Sequence, residues 1–179
     1  MSRPQQPAPA KLVVGMFMRR RALFEVVSGE LAAVYGDLDI VSPWMPFDYT
    51  SYYEREMGAP LFRRMLVFKA LVRQEALAEI KLRTNALEHG HREQDRRLIN
   101  IDPGYLLLER FVLASGKNFS HRIYIGRGIY ADLTLIYQHG AFTTLPWTYP
   151  DYADTPMTDF LAQVRAKYAL DLKTKEALD

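Results

Sequence analysis

The sequence predicts an α+β fold, a ferredoxin-like βαββαβ-type core extended by a C-terminal antiparallel meander and a final helix. Three observations lead there. Strand-like and helix-like stretches alternate from Lys11 to Leu87. An alternating hairpin pattern runs from Arg122 to Leu135. Thr155-Pro156 then opens a last helical stretch, since proline is favoured in a helix's first turn.

Lys11–Met18 is a short apolar, β-branched run, the pattern of a buried strand. Beyond Arg19-Arg20-Arg21, Leu23, Val27, Leu31 and Val34 recur on one helical face that Gly36 closes. Leu38–Val41 is a second strand, giving a βαβ unit with an antiparallel return as the open alternative. Ser42–Pro60 differs in kind: Trp44, Phe47, Tyr49, Tyr52 and Tyr53 crowd among prolines and acids. A loop pinned by its aromatics is favoured over a lid or an edge, because aromatic burial is large. Leu61–Leu71 reads as a strand and Gln74–Leu87 as a helix, with Leu77, Ile80, Thr84 and Leu87 as its buried stripe. Lys81 and Asn85, four apart, share a face beside that stripe. His89 and His91 flank Gly90, which reads as a helix cap in preference to half of a metal site.

Leu98–Ile101 is a short strand that Asp102-Pro103-Gly104 stops as a turn. Tyr105–Ser115 fits a short helix on the spacing of Leu108, Val112 and Ser115, with a strand as the alternative. A three-residue loop at Gly126-Arg127-Gly128 sets Ile125 opposite Ile129, Tyr124 opposite Tyr130, Ile123 opposite Ala131 and Arg122 opposite Asp132. Ile123, Ile125, Ile129, Ala131, Leu133 and Leu135 then form an apolar face, and Arg122, Tyr124, Tyr130, Asp132 and Thr134 a polar one. His139-Gly140 turns the chain into Ala141–Leu145, the aromatic segment Pro146–Tyr152 follows, and Phe160, Val164 and Tyr168 mark the last helix. Residues 11–170 are expected to form one domain, with 1–10 as a disordered tail and 171–179 as a helix end or tail.

Composition narrows the function classes. The 179 residues are 49% hydrophobic and 25% charged, enough to bury a core. With 23 basic and 21 acidic residues the net charge is +2, too balanced to point to nucleic acid or a membrane surface. There is no cysteine, so disulfides and thiolate chemistry are excluded. No apolar run reaches the roughly 20 residues of a membrane span. Met1–Ala10, with three prolines and two glutamines, is unlike a signal peptide, so a cytoplasmic location is expected and the sequon at Asn118 is irrelevant.

Two nucleotide-binding motifs fail. Gly116-Lys117 lacks the Walker A glycine, since Phe111 stands there, and Asn118 stands where Ser or Thr is required. Gly126-Arg127-Gly128-Ile129-Tyr130-Ala131 fits the dinucleotide pattern, but an alternating strand follows instead of a helix. His121 shares the parity of Ile123 and Ile125, which favours a buried histidine over a base. Arg122 and Asp132 are either a surface ion pair or, with Tyr124 and Tyr130, the lining of a pocket. Asn100 and Asp102 share one face at a strand end, where ligands often bind, although turn chemistry is the stronger account of Asp102.

Several strings resemble one family. They are Pro46-Phe47-Asp48-Tyr49-Thr50 with Tyr52-Tyr53-Glu54, Glu79-Ile80-Lys81 with Thr84-Asn85, and Asn100 to Tyr105. Glu56-Met57-Gly58, Val112 to Ser115, His121 to Tyr124, Gly128-Ile129-Tyr130-Ala131 and Leu145 to Tyr152 are also similar. The family is domain of unknown function 4416, small proteins of bacteria and archaea, and the likeness runs from about Lys11 to Arg165. It implies motif residues at Asp48, Glu54, Lys81, Asn85, Asp102, His121 and Asp151. Some members are labelled GTP-binding, yet this chain lacks the loop such a label rests on.

The candidate site therefore comprises His121, Asp102 and Asp132 for proton transfer. Lys81, Asn85, Asn100, Lys117, Arg122, Asp48 and Tyr130 are the candidates for ligand binding. No metal site is read and no cofactor is assigned. The expected partner is an anionic small molecule, phosphorylated or nucleotide-like, with no membrane and with the oligomeric state open. Nucleic acid is disfavoured. The alternative is a non-catalytic RNA- or protein-interaction module using Arg19-Arg20-Arg21, Arg63-Arg64 and exposed aromatics.

Overall fold

A computed structural model describes residues 3–94 and 96–176 of the chain. In order, it contains β1 (Ala10–Met18), α1 (Leu23–Tyr35), β2 (Leu38–Val41), β3 (Met45–Pro46), α2 (Glu54–Met57) and β4 (Phe62–Val72). A 3-10 turn at Gln74–Ala76 leads into α3 (Leu77–Gly90), followed by β5 (Arg92–Glu93), β6 (Arg96–Arg97), β7 (Ile99–Leu106) and β8 (Arg110–Ser115). The chain continues through β9 (Arg122–Gly126), β10 (Ile129–Gln138), β11 (Ala141–Thr144), α4 (Pro150–Ala153) and α5 (Thr155–Glu176). The fold is α+β, with a nine-stranded antiparallel sheet much wider than a four-stranded core. Its order is β11-β10-β8-β7-β1-β4-β2, with β3 beside β4 and β9 beside β10. β5 and β6 form a separate ribbon.

The central strand β1 is buried at all nine positions, which is why it reads as an unbroken apolar run. Leu12, Val14, Met16 and Met18 meet Phe24, Val27 and Leu31 of α1 and Ile80 of α3 on one face. Val13 on the other face joins Met65 and Val67 of β4 and Met157, Phe160, Leu161, Val164 and Tyr168 of α5. Each such side chain contributes about 1.5–3 kcal/mol when fully buried. Val34, placed by periodicity on the inner face of α1, is half exposed. β2 does not pair with β1; β4 lies between them, antiparallel to both. The strand begins at Ala10, and Pro9 is held by a 2.6 Å hydrogen bond from Tyr168 Oη to its carbonyl. Met1 and Ser2 of the expected tail, and residues 177–179, lie outside the described residues.

Three expectations are corrected. Asp102-Pro103-Gly104 does not turn the chain: β7 runs straight through it, paired with β1 from Ile99 to Leu106. Tyr105–Ser115 is not a helix but the end of β7, a tight turn closed by Leu107 N–H on the Arg110 carbonyl, and β8. Its continuous apolar pattern is that of strands covered on both faces. In the β9–β10 hairpin the pairs at Arg122, Ile123 and Tyr124 are as expected, but a bulge sets Gly126 in place of Ile125 opposite Ile129. Ile129 and Leu135 of the apolar face are buried as expected, with Ala131 and Leu133 packed in the cluster of Leu77 and Ala78 of α3. Ile123 on β9 is 72% exposed, and Asp132 and Thr134 of the polar face are buried as well. The cause lies further along the chain, where Trp147 Nε1 and Thr148 Oγ1 donate to the carbonyls of Leu133 and Thr134 and cover that side.

The β7–β8 ladder ends at Gly104 opposite Leu113. A Cβ at Gly104 would stand 2.5 Å from the Val112 carbonyl oxygen, so only glycine lets the strands close there. Gly104→Ala is expected to cost about 1–3 kcal/mol by overpacking. Chemical denaturation checks this, and an unchanged midpoint would contradict the close approach.

Candidate functional site

Beyond Gly104 the two strands part. Ile99 to Pro103 pair only with β1, while Ala114 and Ser115 pair only with β10. Proline lacks the N–H that a further strand would need, which suits an open strand edge. Helix α3 fills the gap with polar side chains in place of a strand. Lys81 Nζ donates to the Ile101 carbonyl at 2.9 Å, and the Ile101 N–H donates to Glu88 Oε1 at 2.6 Å. The open backbone of β7 is thereby satisfied, as a buried peptide group requires.

A cavity of about 680 Å³ lies over this gap. The segment before α2 covers it with Phe47, Tyr49, Tyr52 and Tyr53. Phe47 anchors that segment by stacking on Phe17 at 4.2 Å, and Tyr53 meets Phe17 edge-on at 4.7 Å. The aromatics therefore do pin this loop, and they make one wall of a cavity in doing so. Two clasps hold it at its sides, a bidentate Arg97–Glu56 pair and a hydrogen bond from Tyr49 Oη to Asp154. Burial pushes the Tyr53 hydroxyl up to about 12.

Three polar groups line the rest. In the first, Lys81 Nζ lies 3.2 Å from Asp102 Oδ1, Asn100 Nδ2 donates to Asp102 Oδ2 at 2.6 Å, and Arg97 Nη1 donates to Asn100 Oδ1 at 3.0 Å. Burial pushes the Glu88 carboxyl up against the opposing pull of Lys81 and the Ile101 N–H. In the second, Arg122 donates from Nε to Asp132 Oδ2 at 2.8 Å, from Nη1 to Ser115 Oγ and the Lys117 carbonyl at 3.0 Å each, and from Nη2 to Tyr149 Oη at 2.6 Å. Lys117 Nζ stands 5.1 Å from the centre of the Tyr52 ring and has no carboxylate partner among the described residues. In the third, Arg63 pairs with Asp151 beneath Tyr152.

Of the residues singled out in the sequence, Lys81, Asn85, Asn100, Asp102, Lys117, Arg122 and Asp132 all line this one cavity. His121 stands behind it, stacked on Trp147 at 4.9 Å, with Nε2 3.4 Å from Asp132 Oδ2 but not hydrogen-bonded to it. Asp48 is exposed and Tyr130 lies against Tyr124, both away from the lining. Sequence reasoning overlooked Glu88, Arg97, Tyr149, Tyr152 and the buried Arg63. Two of these carried a signal. Glu88 is seven residues after Lys81, on the same helical face, and Arg63 alternates in phase with the core residues Met65 and Val67.

Among the described residues no group of three or more His, Asp or Glu is arranged to hold a metal, and no helix is long and apolar enough to cross a membrane. A family model described as "Domain of unknown function (DUF4416)" matches residues 8–168. No curated protein and no solved structure matches.

Proposed function

The chain belongs to the DUF4416 family, and from that premise we propose that its cavity binds a phosphorylated or nucleotide-like small molecule. One observation carries the reading: strings far apart in sequence, the ones that resemble the family, supply most of a single cavity with both aromatic and ionic walls. Tyr52, Tyr53 and Tyr149 suit a flat ring, and Lys117, the one lining cation without a carboxylate partner among the described residues, suits the anion. Arg122 shapes the anion end by fixing Ser115, the Lys117 carbonyl and Tyr149.

A proton-transfer role is a second reading. Asp102, 31% exposed and held by Lys81 and Asn100, is the carboxylate best presented to a ligand, and Glu88 beside it is raised by burial. His121 and Asp132 belong to the support of Arg122 in this reading. The interaction-module alternative is weakened, because Arg63 is buried against Tyr152 and Arg64 lies over the Phe24 and Trp44 rings.

For the fold we infer that β7-β1-β4-β2, with α1 and α3 on one face, is a ferredoxin-like core within residues 11–170 as one domain. The strand order and antiparallel neighbours support this.

Thermal-shift assays with inorganic phosphate, sugar phosphates and nucleotides test the binding. At least one is expected to raise Tm, with Lys117→Ala weakening it by about tenfold or more, the size of a lost charge-assisted hydrogen bond. No shift with any of them, or equal affinity in the Lys117 variant, would count decisively against the proposal.

A further inference from the structure

Two buried polar groups, Tyr152 on the floor of the cavity and Arg63 beneath it, have no part in the reading above. Tyr152 is 2% exposed and lines the cavity, yet its hydroxyl has no hydrogen-bond partner. The Arg63 guanidinium lies over the Tyr152 ring, 4.2 Å from its centre, with Nη1 on Asp151 and Nε unpartnered. Both side chains border Gly15, which sits opposite Asp102 in the sheet. A Cβ on Gly15 would stand 3.2 Å from both Met65 Sδ and Tyr152 Oη and 3.3 Å from Arg63 Nη2, so glycine here lets the hydroxyl and the guanidinium close down on the strand, and a methyl would crowd both.

A buried hydroxyl without a partner lowers stability, and a fold normally satisfies it with protein or water. Tyr152 is also a donor in waiting. Burial holds its phenol protonated well above the ordinary value, with Asp102 and Asp151 adding to the effect and Arg63 opposing it. Charge then decides what the donor meets. Asp151 neutralises Arg63 and Lys81 neutralises Asp102, so the floor offers a hydrogen without a net charge. Of the cations that line the cavity, Lys117, on the exposed rim, is the one without a carboxylate partner among the described residues.

Resting on the cavity's being a ligand site, the geometry points to a bound molecule held at two ends. Its anionic group sits at Lys117, and a neutral acceptor oxygen, a sugar hydroxyl or a carbonyl, takes a hydrogen bond from Tyr152 Oη above Gly15. Inorganic phosphate carries the anion without the sugar hydroxyl or carbonyl that the floor donor would meet.

Calorimetric titration of the full chain with inorganic phosphate, ribose 5-phosphate and guanosine 5′-monophosphate separates the two claims. Lys117→Ala is expected to weaken all three. Tyr152→Phe is expected to leave phosphate unchanged and to weaken the tighter-binding ester roughly tenfold. Gly15→Ala, whose methyl crowds the hydroxyl from the strand side while leaving the phenol in place, is expected to weaken the ester and spare phosphate in the same way. Without ligand, Tyr152→Phe should melt no lower than the parent, since it removes an unsatisfied group. If an ester binds and Tyr152→Phe leaves its affinity intact, or if that variant melts lower without ligand, the floor subsite is overturned while the anion site stands. If none of the three binds the parent chain, both fall together.

Discussion

Lys11→Ala is expected to lower the stability of the fold by about 3–5 kcal/mol, the usual result of removing one partner from a buried ion cluster. Lys11 is fully buried, and its Nζ lies 2.6 Å from both Asp39 Oδ2 and Asp171 Oδ2. It ties α5, which covers one face of the sheet, to the centre of that sheet and to β2. Lys167 touches the same two carboxylates but is 40% exposed, so Lys167→Ala is expected to cost less than about 1 kcal/mol. Acid provides a second check. Burial pushes the Asp171 carboxyl up, but hydrogen bonds from Lys11 and Lys167 outweigh it and hold the group below its ordinary value. A carboxyl depressed in the folded state contributes stability that is complete above its unfolded pKa, near 4, and is lost as pH falls through the folded value. Urea denaturation of the parent and Lys11→Ala should therefore show a gap that is full at neutral pH and narrows below about pH 4. A gap under 1 kcal/mol at pH 7 would mean that Lys167 alone suffices.

Much of this architecture was legible because its signals are local. The period of β1 and β4, the stripe of α3 and the start of α5 each depend on residues within one element. The β7–β8 pair was not, because Asp102-Pro103-Gly104 has the chemistry of a turn when read alone. It becomes a strand because Lys81 and Glu88, on the helix that ends at Gly90, satisfy the Ile101 peptide. The hairpin shows the same division. Parity set three of its pairs and its buried apolar face correctly, yet parity cannot show that the other face is covered too, as Trp147 and Thr148 from another segment bring about.

The site divides along a similar line. Polar residues next to strand ends or on a helix face, such as Lys81, Asn85, Asp102 and Asp132, were recognisable by type and phase. Tyr130 was misplaced because the polar face of β10 is buried only from Asp132 onward. Arg63 was read as part of an exposed basic surface because a buried arginine on a core strand announces itself only through a partner, Asp151, that comes from the far end of the chain.

Asp132→Ala is expected to abolish ligand binding and to destabilise the fold by about 3–5 kcal/mol, because it strands a guanidinium whose side chain is 6% exposed. Arg122 stays charged at any accessible pH: burial pulls its pKa down, but Asp132 and Tyr149 outweigh that and raise it. Without the carboxylate its positive charge is stable only in water. Swinging outward, it would release Ser115 Oγ, the Lys117 carbonyl and Tyr149 Oη at once, so the rim that presents Lys117 loses its shape. Asp132→Asn keeps an acceptor for Arg122 Nε at nearly the same volume and should fall between the parent and the alanine variant in both measurements. His121→Ala separates support from chemistry. His121 stacks on Trp147 behind Asp132 and does not line the cavity, so its loss should reduce stability more than affinity. Denaturation and titration of the three variants together check the order. Ligand affinity that survives Asp132→Ala would show that Arg122 does not organise the anion end.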